Sequence, residues 1–148
     1  MELETANLAR PAAVDTGAVK MQLQGLWRGS EQRGVELLQQ GDRVGAAACF
    51  RRCLVIDPEQ HWASWLLATA LFAQPDADLA ELDRLTEQAV QWQLQHKLDR
   101  SRQVYLRMLV LQRLRRDADA AQLRTDYLAR PDADADPDVL KLLQQSGG

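Results

Sequence analysis

The chain has 148 residues, which corresponds to one domain, and 46% of them are apolar while 26% are charged. Its formal net charge of -3 argues against nucleic acid and against polybasic docking on a membrane. β-Branched residues are sparse, and no apolar run approaches the roughly 20 residues that cross a bilayer, so the composition predicts a helical protein without membrane insertion.

The first 18 residues show no sustained periodicity and contain Pro11 and Gly17, so residues 1–18 are predicted to be a flexible N-terminal arm. A short helical turn from Leu3 to Leu8 that docks on a partner is compatible with this pattern. The arm lacks the apolar stretch of a secretory signal, and two cysteines are too few for a disulfide framework. We therefore expect a cytoplasmic protein.

From Val19 onward, apolar residues at helical spacing alternate with short breaks. The first helix is interrupted by glycine and serine, which predicts a fresh start near Ser30. Residues 41–42, Gly-Asp, end it because glycine tolerates the left-handed conformation and aspartate caps the next helix. The second helix is predicted over residues 43–56 and ends at residues 57–58, Asp-Pro, because proline cannot continue the helical ladder.

Further helices are predicted over residues 59–74, 77–96, 98–116 and 118–129. The fifth is apolar around most of its circumference, so we expect it to be covered on more than one side. Its arginines predict a solvated face with local ion pairs. Residues 19–130 then form one helical domain, and residues 131–148 form an acidic linker and a short helix starting at Pro137.

A period of 34 residues connects the first two hairpins: residues 41–42 recur as residues 75–76, Pro-Asp. At the same offset Gly34 aligns with Ala68 and Leu37 with Leu71. The stretch from residue 34 to residue 58 resembles a tetratricopeptide repeat. The positions that carry the resemblance are Gly34, Leu37, Leu38, Gly41, Asp42, Ala46, Phe50, Leu54, Asp57 and Pro58.

The resemblance departs from the family pattern at Ser30 and Arg33 of the first unit and at Arg84 of the second. It covers roughly residues 27–130. It implies an all-α fold of six or seven helices, stacked as antiparallel hairpins in a right-handed α-solenoid. The concave groove of such a fold binds a peptide segment or a helix of another protein. The groove positions that the resemblance implies are Arg28, Glu31, Val35, Leu38, Trp62, Trp65, Thr69 and Phe72.

The function that the resemblance implies is a non-enzymatic adaptor, scaffold or assembly chaperone that needs no cofactor. Small proteins of this kind often serve bacterial secretion or envelope machines. The alternative for Trp62 and Trp65 is packing against the fifth helix, the N-terminal arm or a second copy. The corresponding alternative function is a structural subunit of a homo-oligomer or a larger complex.

A thiol- or metal-dependent regulator is a further alternative, because Cys49 and Cys53 share a helical face. A zinc site needs four ligands, and the two histidines, His61 and His96, each stand alone near a predicted helix end. No phosphate loop, metallopeptidase motif or nucleophile motif is present, so we predict no enzyme activity and no catalytic or metal-binding residue.

Overall fold

The structure, a computed structural model, describes the backbone of residues 16–146 and the side chains of Leu26 and of residues 28–146. This part of the chain folds into seven helices and contains no strand. The helices are α1 (Thr16–Gln39), α2 (Arg43–Ile56), α3 (His61–Phe72), α4 (Leu79–Gln95), α5 (Ser101–Arg113), α6 (Asp117–Ala129) and α7 (Pro137–Gln145). The predicted all-α architecture is confirmed. The possible turn from Leu3 to Leu8 and most of the predicted arm lie outside the described residues.

The first helix is one continuous element of 24 residues, and the fresh start expected near Ser30 does not occur. A glycine inside a helix costs about 1 kcal/mol, which tertiary packing can outweigh. The packing here involves Gly34, because a Cβ atom at that position would lie 2.5–2.9 Å from three ring atoms of Phe50. Glycine thus lets α1 and α2 approach closely, as the aligned small residues suggested.

The helix ends follow the local signals in the sequence. Gly41 adopts a φ of +85°, and the Asp42 carboxylate accepts a hydrogen bond from the Gly45 amide at 2.9 Å, which caps α2. Asp78 caps α4 and Asp136 caps α7 in the same way. The bounds of α2 match the prediction, and those of the other helices after α1 lie within three residues of it.

Each helix packs against the next one in the chain from α1 to α6, and α5 contacts α3, α4, α6 and α7. Two buried clusters make up the core. The first includes Phe50, Leu67, Leu82, Leu106 and Val110, and the second includes Met108, Tyr127 and Leu143. Since α5 contributes to both clusters, the expectation that it is covered on more than one side is confirmed.

The acidic segment after α6 contacts α5 through two aspartates. Asp132 accepts hydrogen bonds from the Arg100 backbone amide at 2.8 Å and from the Tyr127 hydroxyl at 3.1 Å. Asp136 pairs with Arg102 at 3.1 Å, and this hydrogen bond holds the pKa of the Asp136 carboxyl below its usual range. We call these contacts the acidic clasp. The segment therefore does more than link two helices, because it ties the chain that precedes α7 to the start of α5.

The arginines in and just after the fifth helix form ion pairs both locally and across elements, and the local pair joins Arg116 to Asp119 at 2.8 Å. Arg107 lies 2.9 Å from Asp83 of α4, and Arg116 lies 3.4 Å from the same carboxylate. The contacts join α4 to α5 and to the turn after it. The charges within one helix could not reveal the pairs with Asp83, because the partners are more than 20 residues away in sequence.

A bidentate ion pair connects α2 and α4, and it sets a pH dependence. Arg51 donates to both Glu81 carboxylate oxygens, at 2.6 and 2.7 Å. This hydrogen bonding, opposed by burial and helped by the charges of Arg51 and Arg84, holds the pKa of Glu81 below its ordinary value of 4.5. The contribution of the pair to stability is therefore present above pH 4.5 and is lost as the pH falls through the lowered pKa.

We expect Glu81→Gln to lower the free energy of unfolding at neutral pH by about 0.5 kcal/mol, since half-exposed pairs are screened by solvent. The loss should shrink as the pH falls from 4.5 through the lowered pKa of Glu81, because the wild-type carboxyl becomes protonated over that range. Urea unfolding at several pH values measures this. Glu59→Gln, at an exposed position of the α2–α3 turn, is the control, and an equal effect of both substitutions would contradict the assignment.

No helix in the described range is long and apolar enough to cross a membrane.

Candidate partner-binding groove

The first helices of the first two hairpins, α1 and α3, meet through three of the predicted groove residues. The Trp62 side chain and the charge of Arg28 both act on the Glu31 carboxyl, so the three side chains lie close together. Burial raises the pKa of Glu31, although Arg28 and the Trp62 side chain act in the opposite direction. This proximity places the start of α3 beside α1.

The structure separates the two tryptophans. Trp62 is 42% exposed, at the start of α3, whereas Trp65 is half-buried and packs against the first core cluster. Three further groove candidates, Val35, Leu38 and Phe72, are also half-buried against that cluster. These four half-buried side chains therefore contribute to the packing of the helices and still leave part of their surface accessible to a ligand.

Thr69 is exposed one turn beyond Trp65, and its hydroxyl donates to the Trp65 carbonyl at 2.9 Å. The donor of Thr69 is therefore used within its own helix, and its oxygen remains an acceptor. Thr69 can accept a hydrogen bond from a ligand, but it offers no donor without breaking this contact.

Arg113 of α5 completes this surface, and the sequence interpretation missed it. Its guanidinium lies 3.7 Å above the Phe72 ring and donates to the Phe72 carbonyl at 2.8 Å. The sequence PDADLAEL of residues 75–82 returns in a looser form, RDADAAQL, at residues 116–123, and this offset of 41 residues also aligns Phe72 with Arg113. That offset could have revealed the contact. A cation–π contact of this kind is worth about 0.5–1 kcal/mol at an exposed site.

The two cysteines belong to the packing of α2. Cys53 is fully buried and Cys49 is half-buried, and neither forms a disulfide. Burial, followed by the nearby Glu31 charge, raises the pKa of the Cys53 thiol to about 11. The thiolate that reacts with oxidants or binds metal is therefore scarce at neutral pH, which disfavours a thiol-dependent regulator. Among the described residues, no group of three or more candidate ligands is placed to hold a metal ion.

The histidines, which look isolated in the sequence, stack on the two faces of Trp92. The ring centroids of His61 and Trp92 are 3.1 Å apart, and those of Trp92 and His96 are 3.8 Å apart. Burial, followed by the charge of His96, lowers the pKa of His61. The stack borders a cavity of ≈ 480 Å³ between α3 and α4, and it ties the start of one helix to the end of the other.

The chemistry of the groove is that of a binding surface. It offers the exposed indole of Trp62, the half-buried carboxyl of Glu31 and the cationic side chains of Arg28 and Arg113. Interfaces between proteins favour tryptophan and arginine at their energetic centres.

Comparison with known proteins supports the fold. No family model matches the chain, and no curated protein matches it. Among solved structures, the N-terminal domain of stress-induced protein-1 from C. elegans superimposes with a TM-score of 0.64 at 16% sequence identity. The match covers 85% of this chain and 98% of that one. At this identity the likeness concerns the fold alone, and it supports a tetratricopeptide-like stack of helical hairpins.

Proposed function

We propose that the protein is a non-enzymatic interaction module, an adaptor, scaffold or assembly chaperone of the cytoplasm. It binds a peptide or a helix of another protein in the groove formed by α1, α3 and α5. The observation that carries this proposal is the exposed indole of Trp62, which lies beside Glu31 and Arg28. The tetratricopeptide-like fold supports it, since such stacks are interaction modules.

The physical reason is the small entropy cost of ordering an indole. A tryptophan side chain has only two rotatable side-chain bonds, so it loses little conformational freedom when a ligand covers it, and more of the burial energy appears as affinity. Trp62 supplies the apolar contact, and Arg28 and Arg113 select the charge of the ligand. Trp65 and Phe72 connect the groove to the interior of the protein, because they pack against the first core cluster.

The test begins with affinity capture of partners by the full chain, followed by their identification by mass spectrometry. With a captured partner segment, Trp62→Ala is expected to weaken binding at least about tenfold, as truncation of a central tryptophan does. The helical circular dichroism should stay unchanged, because the indole is exposed. Trp62→Phe keeps most of the ring but removes the N–H donor, so it should lie between wild type and Trp62→Ala.

Val44→Ala is the matched control for this experiment. Val44 is an exposed apolar side chain at the start of α2, at the opposite end of the hairpins from Trp62. Its removal should leave the affinity unchanged. Unaltered binding by Trp62→Ala, or equal losses in both variants, would reject the groove as the binding surface.

A further inference from the structure

Most exposed apolar side chains of the described residues lie at one end of the stacked hairpins. Seven large apolar side chains are exposed, and five of them belong to this end. We call these five the apolar rim: Leu26, Val55, Trp62, Leu94 and Leu98. Single exposed apolar residues need no explanation, but a concentration at one end of a molecule marks an interaction surface.

The alternation of helix directions explains why these residues share an end. Val55 lies at the end of α2, and Trp62 follows it at the start of α3 after a short turn. The stacking of His61 on Trp92 brings the end of α4 to the same place, and Leu94 and Leu98 lie there.

Helix α1 reaches the same end of the molecule and passes beyond it. The contact between Gly34 and Phe50 sets the antiparallel register, so Ile56, six residues after Phe50, lies level with Arg28, six residues before Gly34. Residues 16–27 of α1 therefore extend past the end of α2 by 12 residues, or about 18 Å. Thr16 thus lies about 18 Å beyond the end of α2, on the side of the molecule that carries the apolar rim.

We propose that residues 1–15 fold back and dock on the apolar rim. Fifteen residues span up to about 50 Å, which is sufficient to return along the overhang and to cross the ends of α2 and α3. The segment offers Leu3 and Leu8 as apolar contacts. A covalently attached segment acts at an effective concentration in the millimolar range, so it competes well against a free ligand or a second copy.

Docking of this segment has a consequence for the groove. Trp62 belongs both to the apolar rim and to the groove, so a docked segment competes with a groove ligand. The docking itself, and its test, do not require the proposed function, because the measurement uses the protein without any partner.

The test places the photoreactive residue p-benzoylphenylalanine at position 3 of the full chain. We expect cross-links within one chain to peptides that carry residues 55–62 or 94–98, with a yield independent of protein concentration. Val55→Ser/Leu94→Ser should weaken docking at least about tenfold, since two apolar contacts are lost. The matched control is Val44→Ser/Leu142→Ser, which removes an exposed valine and an exposed leucine from elsewhere.

The other outcomes overturn the proposal. Cross-links between chains that grow with concentration assign the apolar rim to a second copy, and cross-links elsewhere, or none, show that the segment does not dock there. If both double variants lower the cross-linking yield equally, the segment does not dock specifically on the apolar rim. If Val55→Ser/Leu94→Ser does not fold, the variant Leu3→Ser/Leu8→Ser replaces it. We then expect faster hydrogen exchange of residues 57–60 and 96–100. Unchanged exchange of these residues would contradict the docking.

Discussion

Replacement of Gly34 by alanine is expected to lower the free energy of unfolding by about 2 kcal/mol, although the same change inside a helix ordinarily stabilises it. The added methyl group would lie 2.5–2.9 Å from three atoms of the Phe50 ring, which is fully buried and cannot turn away freely. Overpacking of this kind costs about 1–3 kcal/mol, and the contact is short enough to place it at the upper end. The gain in helix propensity, about 1 kcal/mol, offsets part of the loss.

Gly29→Ala is the matched control, because Gly29 lies on the same helix and a Cβ atom there meets nothing within 4 Å. We expect it to raise the free energy of unfolding by up to about 1 kcal/mol. Thermal or urea unfolding of both variants measures the two effects, which should have opposite signs. For a chain of this size, a loss of 2 kcal/mol corresponds to a decrease in Tm of about 4–8 °C. If Gly34→Ala is stabilising as well, the helices do not need this close approach.

The parts of the fold that the sequence predicts well depend on local chemistry. The Gly41-Asp42 turn, the Asp57-Pro58 stop and the capping aspartates act within a few residues, so their effect can be read without knowing the tertiary structure. The helix start predicted near Ser30, which does not occur, shows the limit of interpreting the sequence from local signals alone. Whether a glycine ends a helix depends on what packs beside it, and the Phe50 ring comes from another helix.

The candidate site illustrates the same limit. Trp62 and Trp65 are three residues apart on one helix, and the family resemblance assigns both to the groove. Their exposure differs because Trp65 packs against the first core cluster, whereas Trp62 lies at the helix start beside Glu31 and is 42% exposed. Arg113 joins the surface through its contact with Phe72, which lies 41 residues earlier in the sequence. The looser 41-residue repeat is the only sequence feature that relates these two positions.

The acidic clasp is the clearest case of structure without a local signal. Residues 130–138 have the composition of a solvated linker, yet Asp132 and Asp136 contact residues more than 30 positions earlier. Nothing in the spacing of the aspartates distinguishes those that pair from those that do not. The distinction requires the hairpin of α5 and α6, which returns the chain to the start of α5.

We expect Asp132→Ala to lower the free energy of unfolding by about 2–3 kcal/mol. Asp132 accepts hydrogen bonds from the Arg100 backbone amide, the Arg100 side chain and the Tyr127 hydroxyl. Hydrogen bonds to a charged group contribute about 1.5–3 kcal/mol. Tyr127, which is 3% exposed, would keep only two long contacts of 3.4 Å, one to the Asp99 carboxylate and one from the backbone amide of residue 132. The loss is therefore larger than for a surface ion pair.

Asp134→Ala is the matched control, since Asp134 has the same residue type, lies two positions further along the segment and is exposed. Its removal should change the free energy of unfolding by less than about 0.5 kcal/mol. Urea unfolding followed by circular dichroism compares the two variants. Hydrogen exchange locates the effect, which should appear first at the start of α5 and in α7, because the clasp holds those elements together. Equal stabilities of the two variants would show that the segment is a linker after all.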